Sequence, residues 1–220
     1  MLTFGARALK WGVGCHQRAH TPPKIVEIAM PGRQACILTP AVIRRVSIVI
    51  SRRRSGARDI AMFLLSYRAG LRAAEIAQLD WSMLKTADGR LSSTIAVRDS
   101  IAKKGGGRTV PTHPELRAAL QALFKRDRHG PVIRSLRTDG PLNPNSVVNW
   151  FVQLYAEIGA HGCSSHSGRR TFITQAARQA HLVGASLRDV QLLAGHKSIE
   201  VTQGYIDADT PAQQRLIARL

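Results

Sequence analysis

Beyond residue 38 the apolar residues recur mostly every three or four positions, and one central region switches to a period of two. From Thr39, the residues Val42, Ile43, Val46 and Ile50 share one face. Thr39-Pro40 supplies a side-chain cap followed by a proline in the first turn, so a helix is predicted to begin there. A second helix is expected from about Ala57 to Tyr67, closed by Ala69-Gly70, and LRAAEIAQLDW makes a short third. RLSSTIAVRDS and RTVPTH then alternate across the turn KKGGG, which predicts a small antiparallel sheet. Helical spacing returns in HPELRAALQALFKRD, NPNSVVNWFVQLYAEIG, SHSGRRTFITQAARQA, SLRDVQLLAGH and SIEVTQGYID, with a closing PAQQRLIARL. The expected class is mainly α with a small antiparallel β-sheet (α+β).

Three segments follow from this pattern. Residues 1–38 hold Gly5, Gly12, Gly14, Pro22, Pro23, Pro31 and Gly32 without sustained periodicity, which predicts an irregular basic arm. Residues 39–209 form the main domain, and 210–220 a tail helix. A chain of 220 residues suits one well-buried core. Apolar runs such as IAMFLL at Ile60 to Leu65 are far too short to span a bilayer, so no membrane partner is expected.

Charge sharpens the picture. A formal net charge of +18 is tolerated most easily by a fold whose partner is a polyanion, with nucleic acid first. Arg44, Arg45, Arg52, Arg53, Arg54 and Arg58 crowd one stretch, and Lys103, Lys104 and Arg108 flank the glycine run. Charge alone fits a ribosome or an acidic lipid surface equally well. Cys15, Cys36 and Cys163 are an odd number without paired spacing, which points to a reducing cytoplasm. The first twenty residues carry Arg7, Lys10 and Arg18 and no acid, a composition shared by organellar transit peptides and basic DNA-binding arms.

Four short constellations carry candidate chemistry. In SSHSGRRTF, Ser164 and Ser165 are candidate caps, and His166 and Arg169 lie three apart at a helix start suited to a phosphate; an ordinary basic helix start has the same composition. In GLRAAEIAQL, Glu75 is placed to fix the fork of a partly buried Arg72, as catalysis or a structural ion pair would each require. In IAKKGGGRTVP, a lysine at a hairpin tip can reach a cleft and donate a proton, or simply be solvated. In LLAGHKSIEVTQGYID, His196 and Tyr205 are nine residues apart, which on one continuous helix would place them on opposite faces. Gly195 as a helix end, Ser198 as a cap and Glu200 in a new first turn break the helix between them. His161, Cys163 and His166, with Cys15, His16 and His20, have a spacing that suggests metal ligands; no second ligand pair completes a four-ligand set, and no metal is expected.

Taken together, in this order and spacing, the pieces resemble the catalytic domain of the tyrosine recombinase (phage integrase) family over roughly Leu38 to Asp207. Gly70, Leu71, Arg72 and Glu75 match its G-L-R-x-x-E helix. Lys103, or Lys104 if a gap is allowed before Arg108, matches the lysine of its hairpin. His166 and Arg169 match H-x-x-R; Ala194, Gly195, His196 and Ser198 match L-G-H-x-S, with Tyr205 at the nucleophile position. Arg170 stands where many members have histidine, Ala194 replaces a glycine, and Gly204 precedes the tyrosine in place of a longer polar residue.

The resemblance implies the fold of the DNA breaking-rejoining enzymes and a site-specific recombinase or integrase of the type IB mechanism. Tyr205 would attack a DNA phosphodiester to give a 3'-phosphotyrosyl bond, with no cofactor because the bond energy is conserved. Arg72 and Arg169 would hold the phosphate, His196 would hydrogen-bond it, Lys103 would protonate the leaving 5'-oxygen, and His166 would accept the tyrosine proton or assist phosphate binding. Duplex DNA is the implied partner, met by Arg52, Arg53, Arg54, Lys104, Arg108 and Arg170. A homotetramer on paired sites, accessory DNA-bending proteins and a bacterial, nucleoid-associated location are also implied. The tail would pack on a neighbouring protomer or on its own core. Most members carry an upstream helical clamp, and only the basic arm stands in its place. A silent DNA-binding regulator, a mobile-element remnant and a topoisomerase-like relaxing activity are the alternatives.

Overall fold

Thr39 is where the chain enters its first helix. In the computed structural model, the described residues are 35–103, 105–205, 214 and 217–219. Most of the expected arm, Lys104 and most of the expected tail helix lie outside them. Helix α1 (Pro40–Ser51) starts as the sequence predicts: Thr39 Oγ1 accepts from Val42 N at 3.3 Å, and Pro40 sits where its missing N–H costs nothing. Its buried face is Val42, Val46 and Ile50.

Helix α2 (Gly56–Tyr67) follows the arginine-rich turn and is buried on every side from Ala61 to Tyr67. It is the central helix, packed against α1, α3 (Ala73–Ala77), α4 (Pro114–Phe124) and α6 (Ser167–Gln179). Its first turn buries Asp59, which Ser55 Oγ (2.9 Å), Arg58 Nη2 (2.8 Å) and Arg53 Nη1 (3.3 Å) satisfy. Part of the arginine-rich stretch is therefore committed to an internal carboxylate. Where α6 crosses α2, a Cβ on Gly168 would fall on the Ser66 hydroxyl, so this position requires glycine for the close approach.

Strands β1 (Thr94–Val97) and β2 (Arg108–Pro111) pair antiparallel, with Ile95 opposite Val110 and Val97 opposite Arg108. Side chains alternate along a strand, so Arg108 lies on the same face as buried Val110. Helix α5 (Pro144–Glu157), capped by Asn143 Oδ1 on Asn145 N at 2.9 Å, packs on α3. Helix α6 starts at Ser167 with His166 at the cap position. The expected caps, Ser164 and Ser165, are displaced. Ser164 Oγ accepts from His166 N at 3.3 Å and Ser164 N donates to Ser167 Oγ at 3.0 Å, so this serine closes a turn ahead of the helix. Helix α7 (Leu187–Ala194) has a reciprocal Ser186–Asp189 capping box, and α8 (Ile199–Gln203) follows the break at Gly195.

The main core gathers Phe63, Trp81, Phe151 and Tyr155 with the aliphatic faces of α1 to α5 and the sheet. A smaller apolar cluster of Ile173, Ala180, Val190 and Ala194 joins α6 to α7, with Phe172 and Tyr205 half-buried against it. No helix among the described residues is long and apolar enough to cross a membrane.

Phe151 is fully buried, edge-on to Trp150 at 4.9 Å and stacked on Tyr155 at 6.0 Å. Phe151→Ala should destabilise the fold by about 3–5 kcal/mol, read as a lower urea midpoint with an unchanged m-value.

Candidate active site

Gly70 ends α2 at φ +63°, where Leu71 N reaches back to Leu65 O at 3.0 Å and a Cβ would collide with the Phe172 ring. The turn leaves Arg72 extended at the N-cap of α3 (φ −75°, ψ 156°). Glu75, one turn on, accepts from Arg72 N and Arg72 Nη1, both at 2.8 Å. The same carboxylate accepts both nitrogens of the Arg108 fork at 2.9 Å each. Arg108 Nε donates to the Leu193 carbonyl at 2.8 Å, tying β2 to α7. Burial alone would raise the Glu75 pKa, but the hydrogen bonds and charge of Arg108, then of Arg72, hold it down at about 2.

Arg169 projects from the first turn of α6 and is 4% exposed. Its Nη1 donates to the Gly70 carbonyl, and its Nη2 to the Ala194 carbonyl at 2.6 Å. The first carbonyl lies in the turn between α2 and α3 and the second closes α7, so one guanidinium joins that turn to the C-terminus of α7. Burial, followed by the positive charges of Arg72 and Arg108, draws its pKa down to about 10, still charged at neutral pH. Three guanidiniums thus surround one carboxylate, and the site carries uncompensated positive charge.

His196 follows Gly195, which ends α7 at φ +63°. Its Nε2 lies 3.0 Å from Arg169 Nη2 and its Nδ1 2.9 Å from Thr202 Oγ1. An arginine can only donate, so Nε2 is the acceptor, and the neutral ring carries its proton on Nδ1, directed at Thr202. Burial and then the charges of Arg169, Arg72 and Arg108 push the imidazole pKa down to about 4. Gln191 Nε2 holds the His196 carbonyl at 3.0 Å.

Tyr205 sits two residues past α8, its N bonded to Thr202 O at 3.1 Å and its O accepting from Thr174 Oγ1 at 3.2 Å. The phenol ring stacks on the imidazole of His196, centroids 5.4 Å apart and planes 24° from parallel. The break foreseen between them is what allows this: Ser198 opens α8 with extended dihedrals and Glu200 lies in its first turn.

The structure brings Arg72, Glu75, Arg169, His196 and Tyr205 together. His166 lies at the mouth of α6, exposed, and Lys103 is exposed on the hairpin turn. Arg52 and Arg54 are exposed between α1 and α2, while Arg53 pairs with Asp59 and Glu157 and lies 6.0 Å over the Trp150 ring. Arg170 is half-buried, its Nε without a hydrogen-bond partner. Arg108 corrects the sequence reading: expected on the DNA-facing surface, its side chain is 4% exposed and spent on Glu75. Its place on the face of Val110 in RTVP was the available signal. Thr202 and Gln191, which hold His196, had no signal beyond their spacing from it. Among the described residues no group of three or more His, Cys, Asp or Glu side chains is placed to hold a metal. Cys15, His16 and His20 lie outside them.

The chain that carries this arrangement, with its phenol, imidazole and clustered guanidiniums drawn from four separate sequence segments, has clear relatives. Residues 37–211 match the phage integrase family, and the chain belongs to that family. It is 32% identical over 162 residues to the tyrosine recombinase XerC of Rhodospirillum centenum, covering 70% of this chain and 43% of the relative. It is 32% identical over 165 residues to XerC of Mesorhizobium japonicum, covering 70% and 48%. The chain thus spans less than half the length of these curated relatives. Among solved structures, XerA recombinase superposes with a TM-score of 0.66 at 23% identity, over 90% of this chain and 66% of that one. A lambda integrase dimer bound to a COC' core site superposes with a TM-score of 0.60 at 20% identity, over 81% and 50%. The fold is that of the integrase catalytic domain: mainly helical, with a small antiparallel sheet.

The two displaced pKa values set an acid profile. Between pH 6.5 and about 4 the unfolded chain binds a proton at His196 that the folded chain refuses, so stability falls as pH drops through that window. The Glu75 carboxylate stabilises fully above about 4.5, and that contribution is lost as pH falls toward 2. Thermal midpoints should therefore decline from pH 6.5 downward. His196→Gln should flatten the decline above pH 4.5 and keep the loss below it. An equally steep decline in that variant would place the titration elsewhere.

Proposed function

We propose that this chain is a site-specific DNA recombinase that cuts and rejoins strands through a 3'-phosphotyrosine. The observation that carries the reading is the stack of Tyr205 on His196, with His196 itself hydrogen-bonded to buried Arg169. A candidate nucleophile is held beside a site of uncompensated positive charge, where a phosphodiester would be drawn in.

In this reading Tyr205 Oη attacks phosphorus and the P–O5' bond breaks. The tyrosine proton passes to His166 or solvent, and the 5'-oxygen takes a proton from the Lys103 ammonium. A 5'-hydroxyl from a partner strand reverses the step, so the bond energy is kept and no nucleotide is consumed. Arg72 and Arg169 neutralise the charge that grows on the non-bridging oxygens, as fixed donors that need not reorganise. Neutral His196 has released its Nε2 lone pair to Arg169; a ring turned or re-tautomerised when phosphate arrives would donate to it. The pull of these cations on a phenolate offsets the reluctance of tyrosine to ionise near neutrality.

Duplex DNA is the proposed partner, supported by the net charge of +18, by the recombinase name of the XerC relatives and by the lambda integrase neighbour, which is bound to a core site. Exposed Arg52 and Arg54 are proposed phosphate contacts. Assembly as four protomers on two paired sites is the arrangement that strand exchange between duplexes requires.

The test is covalent trapping on nicked duplexes prepared from the host genome. The native chain should yield a denaturation-resistant adduct whose peptide mass maps to Tyr205, and Tyr205→Phe should yield none while binding DNA normally. DNA binding without any adduct would instead mark a silent DNA-binding protein. Arg72→Ala should slow adduct formation by about 10²–10³-fold, in the range expected when one fixed donor to the transition state is removed. Affinity for duplex should also fall steeply with added salt, and a flat dependence would remove the charge argument.

A further inference from the structure

Lys103 is exposed on a glycine-rich turn, which by itself is a poor way to hold a proton donor in place. The turn is anchored at its base. Arg108, the first residue of β2, extends from the end of that turn into the protein, grips Glu75 with both nitrogens at 2.9 Å and bonds the Leu193 carbonyl through Nε at 2.8 Å. The carboxylate it grips is the one that fixes Arg72. The turn also rests on the backbone ahead of His196. A Cβ on Gly195 would lie 3.0 Å from Arg108 Cδ and 3.3 Å from the Gly106 carbonyl, tight enough to press on both. On the outer side, Asp99 Oδ1 accepts from Gly107 N at 2.7 Å and closes the turn.

We propose that Arg108 is a positioning residue: through Glu75 and Leu193 it sets the lysine hairpin against Arg72 and the His196 turn, coupling leaving-group protonation to phosphate binding. The inference rests on the reading above, in which Lys103 protonates the departing 5'-oxygen. The geometry of the anchor explains why an arginine is required. Two bonds to one carboxylate fix both the distance and the roll of the strand, and a third bond in a different direction fixes its height on α7. A lysine keeps the charge and loses all but one of these contacts.

The step offers a selective readout. With an ordinary substrate, the P–O5' bond breaks and the oxygen must receive a proton. If the bridging 5'-oxygen is replaced by sulfur, the P–S bond breaks to a thiolate that leaves without one. A defect in proton donation therefore disappears on the sulfur duplex, and a defect in folding or phosphate binding does not.

The experiment measures single-turnover adduct formation by the full chain on the nicked duplexes described above, built with oxygen or sulfur at the scissile position. Arg108→Lys should be about 10–100-fold slower than the native chain on oxygen, within the contribution of a general acid, and close to native on sulfur. Lys103→Ala should behave the same way, and Arg72→Ala should stay slow on both. Asp99→Ala, which loosens the exposed end of the same turn without touching the buried network, should show a smaller loss of the same kind. Equal slowing of Arg108→Lys on both duplexes, or no slowing on either, overturns the proposal. If that variant does not fold, the Asp99→Ala result decides: a loss confined to oxygen supports it, and a uniform or absent effect overturns it. No adduct from the native chain on either duplex overturns the functional reading and this inference with it.

Discussion

Glu75 brings one negative charge to a place where Arg72, Arg108 and Arg169 bring three positive ones, and its burial makes that balance costly to disturb. Removing water from a carboxylate is unfavourable, and the depressed pKa shows that attraction to the two bonded guanidiniums outweighs that cost. Deleting one partner of such a buried set usually costs about 3–5 kcal/mol because the others are left uncompensated. The carboxylate compensates only part of the surrounding charge. That partial compensation suits the proposed anion site: full neutralisation would leave nothing to attract a phosphate, and none would push the arginines apart.

Helix ends supply the remaining geometry. The Ala194 carbonyl closes α7 and the Gly70 carbonyl lies in the turn after α2; Arg169 satisfies both with one side chain. Because a guanidinium is planar and rigid, the turn after α2, the end of α7 and His196 are fixed relative to each other by one group, the same one proposed to bind phosphate. The left-handed glycines at positions 70 and 195 are what turn the chain away at these points.

Much of this was legible in the sequence, and the reasons differ by element. Helix α1 was readable because Thr39-Pro40 is a local signal, complete within a few residues. The break between His196 and Tyr205 was readable because nine residues cannot bring two side chains together on one helix. The role of Glu75 was half readable: the i, i+3 pairing with Arg72 is local, while the grip of Arg108 spans thirty-three positions and depends on β2 packing against α7 so that its side chain reaches α3. Net charge drew Arg108 to the surface in the sequence reading, although the two-residue period of RTVP placed it inward. Ser164 and Ser165 were misplaced as caps because a serine-rich turn and a capped helix start have the same composition.

Tyr205 belongs to the smaller of the two apolar clusters, whose buried members are Ile173, Ala180, Val190 and Ala194. Two of those four are alanines, so the cluster hides little hydrocarbon compared with the aromatic-rich core beneath α2. Its cohesion is correspondingly weak, and the five-residue α8 adds few backbone bonds of its own. Tyr205 is therefore seated on the less extensively packed of the two clusters, held there by Thr174 and by its stack on His196. In the proposed reaction, where Tyr205 would become tethered to a strand and later be released, a local melting cost below that of the whole domain would be an advantage.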